Sequence, residues 1–582
     1  MKYFIPEWND RVDPKYDFIR DTHSPEHTRD PMGTDVYMWN IFGIDKVPVD
    51  GVLVSRITIE QDKRKYQLAL REGIHKTLRL PSNFEIMGDC GAFGYVKDKV
   101  PRYDPIETLQ HYSKLGFNYG VTVDHLVVPQ FKEDKEYRMS ITFENGVKAY
   151  KEWLQKYKDD FQLLVAIQGW DISDYLNYYK KYIDLGATDL AFGGLARSPT
   201  SYIIKLVDQL VIEIRNSQKI PTYLHFFGLA RFALFSKFQE LEDMGVKVGF
   251  DSASYLRKAW LSAPASQLNY LTMDGKGYTA IRVPFTSKKT QQKVKESLMP
   301  STEDAGLKEL EQKCLSALRI YEKGETDIES VLSILSQFNK AIGGGSELIK
   351  YYRRTLEDKP WKLCDCPICK NIGMDVILFR GNNRNRRRGF HNIYVFYNIV
   401  KSPKKWHAFI SKNKEKQESE LSSLKKGDKV LIITECTKEK LGYDTSIKAS
   451  AKKMYQGRLF KTVREYSEAM GFDYVIISAK YGLIFPDDII EGYEKVLQTK
   501  EGVKSIQSLV EEKLRPLLRN YDKIVVIAGE RYRDVLRNLW DEQFVAVRSK
   551  GYGDLCSIVE KATPKSKLLI EYMMPCPEDA SS

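Results

Sequence analysis

The sequence predicts a (β/α)8 barrel that is followed by a second, smaller α/β domain. The chain has 582 residues, which exceeds the usual size of one domain, so two or three domains are expected. From residue 51 onward, short apolar runs rich in β-branched residues alternate with longer segments of helical period. A polar segment at residues 412–428 interrupts this alternation before it resumes.

The barrel prediction depends on eight candidate strands. They are residues 51–57, 84–88, 119–123, 162–167, 189–192, 221–227, 246–250 and 278–283. Amphipathic segments such as residues 143–157 and 175–186 separate these runs and are expected to be helices. Eight strands separated by helices are the number that closes a (β/α)8 barrel. A doubly wound open sheet is the competing architecture.

The flanking regions set the expected domain boundaries. Residues 1–50 contain five prolines and are predicted to be an irregular segment that packs on the barrel. The barrel domain is expected to span residues 51–411, with a zinc-binding subdomain near residues 350–400. Residues 412–428 are rich in lysine, glutamate and serine and predict a linker. Three apolar runs within residues 429–577 predict a small parallel α/β domain, which we expect to bind nucleic acid or a protein partner.

The composition excludes several classes of protein. No apolar run approaches the ~20 residues needed to span a bilayer, and residues 1–6 lack the apolar region of a signal peptide. No membrane partner is therefore expected. Eight cysteines are too few for a disulfide scaffold and indicate the cytoplasm. The net charge of +12 is compatible with a polyanionic partner, although many proteins are mildly basic.

Polar residues and glycines follow the candidate strands. In a (β/α)8 barrel the carboxyl ends of the strands form the active-site face. Carboxylates and amides there can read a purine edge, and a carboxylate can act as a nucleophile at an anomeric carbon. Each aspartate taken alone is equally compatible with a helix N-cap. The candidates are Asp89, Asp124, Gln168, Gly193, Gly194, Phe227, Gly228 and Asp251.

Three clustered cysteines and one histidine predict a structural zinc site. Cys364, Cys366 and Cys369 lie within six positions, and His391 follows 22 positions later. Three thiolates and an imidazole complete a tetrahedral zinc site, which leaves no position open for catalysis. The alternative is that three unrelated cysteines happen to lie near a surface histidine.

An arginine-rich segment lies between these cysteines and the histidine. Residues 380–389 carry five arginines together with glycine and asparagine. Guanidinium groups bind phosphate oxygens in a bidentate manner, so we predict a loop that contacts nucleic acid. A solvated flexible loop is the alternative. The nucleic-acid-binding candidates are Arg384, Arg386, Arg387 and Arg388, together with Arg257 and Lys258, which follow the seventh predicted strand.

Four short motifs resemble those of the tRNA-guanine transglycosylases, and they occur in the same order. Residues 87–93 (Met-Gly-Asp-Cys-Gly-Ala-Phe) resemble the family's Asp-Ser-Gly-Gly-Phe motif, and residues 166–169 resemble its Val-Gln-Gly segment. Residues 192–196 match its Gly-Gly-Leu-Ala segment. Residues 250–255 match the archaeal form, Phe-Asp-Ser-Ala-Ser-Tyr, at every position. With the Cys-x-Cys-x-x-Cys…His set, the resemblance covers residues 50–400.

The resemblance implies a role for each candidate residue. Asp251 would attack C1′ of the target nucleoside and form a covalent intermediate, while Asp89 would transfer protons and contact the base. Asp124, Gln168, Gly193 and Gly194 would recognise the base, and Phe227 and Gly228 would line the pocket. Cys364, Cys366, Cys369 and His391 would bind one structural Zn²⁺.

Two departures from the tRNA enzymes have different consequences. Cys90 replaces the serine of the family motif, whose hydroxyl can hydrogen-bond the base, so selectivity for the incoming base is expected to differ. No archaeal RNA-binding pattern follows residue 400, which shifts the expected substrate towards DNA. Residues 16–25 and the Val-Ser-Arg of residues 54–56 resemble the DpdA-type DNA transglycosylases of bacteria and phages. The resemblance implies DNA and 7-cyano-7-deazaguanine as substrates. It also suggests a helper ATPase, a base-processing enzyme and a homodimer as protein associations.

Three other functions remain as alternatives. The first is exchange of the base in tRNA, by the same chemistry on a different nucleic acid. The second is a nucleic-acid-binding protein that uses the barrel without catalysis. The third is a simple glycosidase with a carboxylate pair, against which the cysteine cluster and the Gly-Gly-Leu segment argue.

Overall fold

A computed structural model describes most of the chain. It omits residues 29, 218, 263–265, 286–303, 347, 407–423, 425–427, 442–446, 496, 498, 519, 540–543, 548, 550 and 564–582. The chain forms two compact units, residues 1–409 and 410–582. The predicted linker at 412–428 lies outside the described residues except for Leu424 and Asp428, and so does the end of the predicted C-terminal domain.

The first unit is built on a closed barrel of eight parallel strands, which confirms the predicted fold class. Each strand pairs with its neighbours in sequence, and the first strand pairs with the eighth. The strands are β1 (Lys2–Pro6), β2 (Gly51–Ser55), β3 (Glu85–Asp89), β4 (Tyr119–Val121), β5 (Gln162–Ile167), β6 (Asp189–Phe192), β7 (Tyr223–Phe226) and β8 (Lys247–Asp251).

Two strand assignments from the sequence are wrong. Residues 1–50 were expected to be irregular, but Lys2–Pro6 is the first barrel strand, with Phe4 opposite Gly51 on one side and Asp251 on the other. Residues 278–283 were expected to be the last barrel strand, but they contribute to two small sheets outside it. The five-residue first strand is too short to show a pattern, and a long irregular segment separates it from the second.

Those small sheets contain four two-residue strands. They are β9 (Tyr270–Leu271), β10 (Gly277–Tyr278), β11 (Ile281–Arg282) and β12 (Leu378–Phe379). Strands β9 and β10 pair in antiparallel fashion, whereas β11 and β12 are parallel. They bring the segment after the barrel next to the segment that carries the cysteines.

Helices cover the barrel and extend beyond it. Around the barrel they are α1 (Met38–Phe42), α2 (Arg56–Gln61), α3 (Lys63–Glu72), α4 (Ile74–Thr77), α5 (Pro105–Leu115), α6 (Lys135–Lys156), α7 (Ile172–Leu185), α8 (Thr200–Asn216), α9 (Phe235–Asp243) and α10 (Ser254–Leu261). After the barrel come α11 (Asp304–Lys323), α12 (Ile328–Ala341), α13 (Leu348–Asp358), α14 (Pro367–Ile372) and α15 (Gly381–Val400). Short 3₁₀ helices occur at Ile44–Lys46, Ala92–Tyr95, Pro129–Asp134, Leu195–Arg197, Phe232–Leu234 and Gly373–Ile377.

Local sequence explains where these elements begin and what they bury. The side chain of Asp104 accepts hydrogen bonds from two backbone amides at the start of α5, and Asp171 and Asp174 form a capping box on α7. The barrel interior is filled by one side-chain cluster that includes Phe4, Met87 and Tyr223. Since helices cover the outside and side chains fill the inside, the strands are apolar on both faces.

The second unit is a separate α/β fold. Its main sheet has the order β16-β15-β13-β18-β19, and a two-stranded sheet joins β14 and β17. The strands are β13 (Val430–Glu435), β14 (Lys448–Ser450), β15 (Asp473–Ser478), β16 (Gly482–Ile484), β17 (Ile489–Glu491), β18 (Lys523–Ile527) and β19 (Phe544–Ala546). The helices are α16 (Ala451–Met454), α17 (Arg458–Met470), α18 (Lys500–Leu518), α19 (Glu530–Val535) and α20 (Tyr552–Ala562), with a 3₁₀ turn at Arg537–Leu539.

The three apolar runs predicted in this unit form its central strands. Strand β13 pairs in parallel with both β15 and β18, and only β16 runs antiparallel within the five-stranded sheet of the described chain. No helix in the described part of the chain has the length and apolar character required to cross a membrane.

Candidate active site

The predicted site residues converge on the carboxyl-terminal rim of the barrel. Asp89 ends β3 and Asp251 ends β8, while Asp124, Gln168 and Gly193 follow the ends of β4, β5 and β6. All eight strands are parallel, so their carboxyl ends share one face of the barrel. Because Asp251 belongs to the eighth strand rather than the seventh, it lies next to the first strand, which the sequence analysis did not recognise.

Asp251 is held in place through one of its two carboxylate oxygens. Its Oδ1 accepts a hydrogen bond of 3.0 Å from the backbone amide of Gly228, and Oδ1 lies 3.2 Å from Nε2 of His225. Neither contact uses Oδ2. Helix α10 takes Ala253 as its N-cap, so the helix-cap interpretation does not apply to Asp251. One oxygen thus orients the carboxylate while the other remains for chemistry.

His225 was missed as a site residue by the sequence analysis. It points into the barrel from β7, is fully buried, and its Nδ1 lies 3.2 Å from the hydroxyl of Tyr223. The Tyr223 hydroxyl and Asp251 therefore flank the imidazole and fix its orientation. The alternation of side chains along β7 places His225 on the same face as Tyr223, and this period of two is the signal that would have found it.

Asp89 is a rim carboxylate whose pKa is raised far above its ordinary value. Burial and the negative charges of Asp124 and Asp251 together raise the pKa of Asp89 to about 7, against a hydrogen bond from Ser55 that lowers it. Its side chain is partly exposed, but Oδ1 is buried and has no hydrogen-bond partner among the described residues. A carboxyl group in this state exchanges protons near neutral pH.

Asp124 and Gln168 form a buried hydrogen-bonded pair. Nε2 of Gln168 donates to Oδ2 of Asp124 at 2.6 Å, and the thiol of Cys90 donates to Oδ1 at 3.1 Å. The hydroxyl of Tyr95 donates to the backbone carbonyl of Asp124 at 2.9 Å. Burial raises the pKa of Asp124. Cys90, which replaces the serine of the family motif, therefore supports the carboxylate of Asp124.

The glycines after β6, which were expected to help to recognise the base, pack closely against Gln168. A Cβ at Gly193 would lie 2.1 Å from Nε2 of Gln168, and a Cβ at Gly194 would lie 2.8 Å from Oε1 of the same side chain. Gly194 also has a φ of +76°, which favours glycine. Both glycines thus make room for the Gln168 amide.

Phe227 and Gly228 lie at the end of β7, beside the nucleophile candidate. The Phe227 ring is partly exposed and packs edge-on against the His225 imidazole, with 4.8 Å between the ring centres. The amide of Gly228 is the donor to Asp251. The site therefore combines an oriented carboxylate, a carboxyl group that titrates near neutrality, a fixed polar pair and an aromatic wall.

The four predicted zinc ligands come together in a second cluster. Their donor atoms all lie within 4.8 Å of one another. Nδ1 of His391 is 3.5 Å from Sγ of Cys364, 3.5 Å from Sγ of Cys366 and 3.4 Å from Sγ of Cys369. These residues can hold a metal ion, and three thiolates with one imidazole are a donor set that suits zinc.

Neighbouring residues orient the cluster. Nε2 of His391 lies 2.8 Å from the carbonyl oxygen of Leu271, which leaves Nδ1 to face the thiols. The ring of Tyr270 stacks on His391 with 3.9 Å between ring centres, and its hydroxyl is 3.2 Å from Sγ of Cys369. Cys366 also caps α14 by accepting a hydrogen bond from the amide of Cys369. A fixed imidazole tautomer is typical of a metal-binding histidine.

The predicted arginine-rich loop is a helix, and the prediction was wrong. Residues 381–400 form α15, and the side chains of Arg384, Arg387 and Arg388 are buried in it. Nε of Arg384 donates to Asp375 at 2.7 Å, and its other nitrogens bind Asp21 and a carbonyl oxygen. A buried guanidinium with protein partners presents no surface to phosphate, so these three residues are withdrawn as nucleic-acid contacts.

Arg388 shows what these buried charges do. Its guanidinium donates to the carbonyl oxygens of Ala259, Val376 and Leu378, and to the side chain of Asn385. Burial lowers the pKa of Arg388 to about 9. The contacts connect α15 both to α10, the helix that follows Asp251, and to the cysteine-bearing segment. The arginines therefore hold the metal cluster and the barrel together.

The remaining basic candidates are half-buried. Arg386 lies on α15 and donates to the carbonyl oxygen of Arg11 at 2.6 Å. Arg257 lies over the ring of Trp8, and Lys258 lies over the ring of Tyr255 on the same helix, α10. Their partial exposure distinguishes them from the three buried arginines.

Comparisons with known proteins find similarity to two groups of proteins. A DNA-guanine transglycosylase from Salmonella montevideo is 32% identical over 418 residues, which cover 68% of this chain and 96% of the relative. A family model described as "Family of unknown function (DUF6884)" matches residues 430–552, within the second unit. The match to the transglycosylase combines 32% identity with coverage of nearly the whole relative. The chain therefore belongs to the guanine transglycosylase family of enzymes.

Proposed function

We propose that the enzyme replaces guanine in DNA with a 7-deazaguanine base, specifically 7-cyano-7-deazaguanine, through a covalent intermediate on Asp251. The observation that carries the proposal is the geometry of Asp251, whose Oδ1 is held by Gly228 and His225 and whose Oδ2 is used by neither. The carboxyl group of Asp89, with a pKa of about 7, accompanies it on the same rim.

In the first half-reaction, Oδ2 of Asp251 attacks C1′ and forms an ester with the sugar. The bond between C1′ and N9 of guanine breaks, and its electron pair goes to the leaving base. Asp89, protonated at neutral pH, supplies the proton that the leaving base needs. Division of the exchange into two displacements is the usual advantage of a carboxylate nucleophile.

In the second half-reaction, the incoming base attacks C1′ from the face that guanine has left. Asp89, now ionised, accepts the proton from the incoming base. The ester electrons return to Asp251, which regenerates the enzyme. Two inversions at C1′ retain the configuration, as in retaining glycosidases.

The base would be recognised by Asp124 and Gln168. A carboxylate oxygen accepts hydrogen bonds from the N–H groups on the guanine edge, which 7-deazaguanine bases share with guanine. Because Cys90 and Gln168 fix the Asp124 carboxylate, binding costs little reorganisation. The target nucleotide has to leave the base stack to reach the rim.

DNA is favoured as the substrate by the relative named above, which is called a DNA-guanine transglycosylase. The net charge of +12 suits either nucleic acid. Arg257, Lys258 and Arg386 are the basic candidates that keep partial exposure, and we propose them as phosphate contacts near the rim. A plot of log K for DNA binding against log[salt] has a negative slope, and loss of one such contact should reduce the magnitude of that slope by about 1.

The test measures base exchange on two nucleic acids. Purified enzyme is incubated with duplex DNA or with tRNA and labelled 7-cyano-7-deazaguanine, and the nucleosides are analysed by mass spectrometry. Incorporation into DNA is expected. Incorporation into tRNA alone would contradict the DNA assignment and support the tRNA alternative.

The nucleophile is tested by denaturation without the incoming base. A covalent DNA adduct should survive denaturation of the wild type, and its mass should map to the peptide that contains Asp251. Asp251→Asn should abolish both adduct and exchange, whereas Asp184→Asn, an exposed change on α7, should preserve both. An adduct of equal yield in Asp251→Asn would exclude the covalent role.

We also propose that the cluster of Cys364, Cys366, Cys369 and His391 binds one structural Zn²⁺. Its four donors would satisfy the ion completely, so it would stabilise the fold rather than act on the substrate. Cys366→Ser should lose the zinc and unfold at a lower temperature, as measured by metal analysis and calorimetry. Equal zinc in Cys366→Ser and wild type would refute this ligand set.

A further inference from the structure

The segment between β1 and α1 contains a second cluster of potential metal ligands. It leaves the carboxyl end of β1 and returns at α1, so it begins on the same face of the barrel as the proposed active site. Asp13 is fully buried in this segment, whereas His23 and His27 are closer to the surface. One donor atom from each of these three residues lies within 4.8 Å of the other two.

Both imidazoles turn the same nitrogen towards the same carboxylate oxygen. Nδ1 of His23 lies 3.1 Å from Oδ2 of Asp13, and Nδ1 of His27 lies 3.8 Å from it. The two rings stack with 3.6 Å between their centres. Oδ1 of Asp35, a second buried carboxylate, is 2.8 Å from Nδ1 of His27. Two imidazole nitrogens and the carboxylate of Asp13 thus face one small volume, and Asp35 contacts it through His27.

These separations match those of ligands that share a metal ion. Bonds of about 2.0 Å in a tetrahedral site place neighbouring donor atoms about 3.3 Å apart. The separations between Oδ2 of Asp13 and the two imidazole nitrogens, 3.1 and 3.8 Å, bracket that value. The cluster was not found by sequence analysis because Asp35 and Asp13 come from opposite ends of an irregular segment.

Hydrogen bonds hold the donor groups of this cluster in place. Oδ2 of Asp13 accepts from the backbone amide of Ser24 at 2.8 Å and lies 3.1 Å from Nδ1 of His23, while Nδ1 of His27 lies 2.8 Å from Oδ1 of Asp35. The backbone amide of Lys15 and the hydroxyl of Ser24 donate to Oδ1 of Asp13. The buried carboxylate is therefore fixed, and a cation beside it would be bound by a deprotonated Nδ1 from each imidazole.

We propose that Asp13, His23 and His27 bind a second divalent transition-metal ion. Two imidazole nitrogens favour zinc or a similar ion over magnesium or calcium, which prefer all-oxygen sites. A cavity of about 230 Å³ is lined by Asp13, His23 and Asp35, so water can reach the ion.

The ion would fix this segment against α15. The backbone amide of Asp13 donates to Asn383 at 3.0 Å, and Arg387 donates to the carbonyl oxygen of Asp13 at 2.7 Å. Asp13 thus connects the proposed ion with the helix that carries His391. Loss of the ion should loosen residues 7–37 without displacing the ion bound by the cysteines.

Metal analysis of the full-length protein tests the proposal. After saturation with Zn²⁺ and removal of excess ion, the wild type should retain two equivalents of zinc. His23→Gln and His27→Gln should retain one. Glu26→Gln, an exposed change in the same segment, should retain two. His23 is itself partly exposed, so its replacement should be tolerated, and the melting temperature of the metal-free protein checks this.

Cobalt substitution identifies which site is lost. The thiolate cluster gives Co²⁺ strong sulfur-to-metal charge-transfer bands, whereas a site of nitrogen and oxygen donors gives only weaker visible bands. His23→Gln should lose the weaker component and keep the charge-transfer bands. One equivalent of metal in the wild type, with the same stoichiometry and cobalt spectrum in His23→Gln, would overturn the proposal.

Discussion

Helix α15 and the barrel rim both bury charge, but they treat it in opposite ways. On α15, the guanidinium groups of Arg384 and Arg388 meet carboxylates or backbone carbonyls. On the rim, Asp89 keeps a buried oxygen that has no hydrogen-bond partner among the described residues, next to two other carboxylates. Partnered charge holds elements together, whereas under-partnered charge is available for proton transfer and costs stability.

The comparison separates two kinds of charged motif that look alike in a sequence. Five arginines in ten residues suggested a surface for phosphate, and single aspartates at strand ends suggested helix caps as readily as chemistry. In the structure, three of these arginines are buried and bind other parts of the protein instead of facing a phosphate. What distinguishes the two regions is whether each polar atom has a partner, and this depends on residues distant in sequence, such as Asp21 for Arg384.

The largest effect should come from removal of the rim carboxyl group. Asp89→Asn should slow base exchange by about 100-fold to 10,000-fold, because the general acid and base is lost. The same change should leave the melting temperature unchanged or raise it, since an amide costs less to bury than a charge. Single-turnover exchange and calorimetry measure the two effects. A loss of stability together with activity would place Asp89 in the same class as the α15 arginines.

The second effect concerns α15. Arg384→Met should destabilise the fold by about 3–5 kcal/mol, because the carboxylate of Asp375 loses its ion partner and that of Asp21 keeps only Arg380. The matched change Arg386→Met, at a half-exposed position, should cost about 1 kcal/mol or less. Urea denaturation compares the two variants. Equal costs would mean that burial of the ion pairs does not decide stability here.

The smallest effect is the pH dependence of stability. The folded pKa of Asp89, about 7, exceeds its ordinary value of 3.8, so folding favours the protonated form. This contribution is fully present below about pH 4, declines as the pH rises, and is lost above about pH 7, with a slope of at most about 1.4 kcal/mol per pH unit. Asp89→Asn should therefore flatten the stability curve between pH 5 and pH 7.

The control for that measurement is an exposed aspartate. Asp184→Asn should retain the slope of the wild type in denaturation experiments across the same pH range. If Asp89→Asn and Asp184→Asn gave the same slope, the carboxyl group of Asp89 would not be the one that titrates with folding. The pH dependence of the base-exchange rate is a second test. The rate of the wild type should show an inflection near pH 7, and this inflection should be absent in Asp89→Asn.

The barrel could be predicted because apolar strands alternate with amphipathic helices along the sequence. This repeat indicates the fold even when one strand is missed and another is wrongly assigned. It could not identify Lys2–Pro6, since closure of the barrel depends on pairing with Asp251 and its neighbours rather than on local pattern. The rim residues were found because strand ends in a parallel barrel meet by geometry. His225 and Cys90 were missed as supports since their roles depend on contacts with Asp251 and Asp124.

The cysteine–histidine cluster and α15 illustrate the same limit. Cysteine spacing identified the four residues that the structure brings together, because short spacing in the chain keeps the three thiols close in any fold. Helical structure in residues 381–400 was hidden because glycine, asparagine and arginine weaken or obscure the apolar period. Burial of the arginines then depends on Asp375 and on the segment that follows β1.

The pairing of β1 with β8 links completion of the barrel to completion of the candidate active site. Phe4 lies opposite Asp251, so the strand that carries this carboxylate is flanked on both sides only when the first and last strands of the barrel have met. Such a contact has a very large sequence separation, so its loop-closure entropy is a large part of the cost of forming the barrel. A partly folded chain with an open seam would keep Gly228 and His225 beside Asp251 but would leave the other side of its strand unpaired. The candidate active site is thus completed by the contact that closes the barrel.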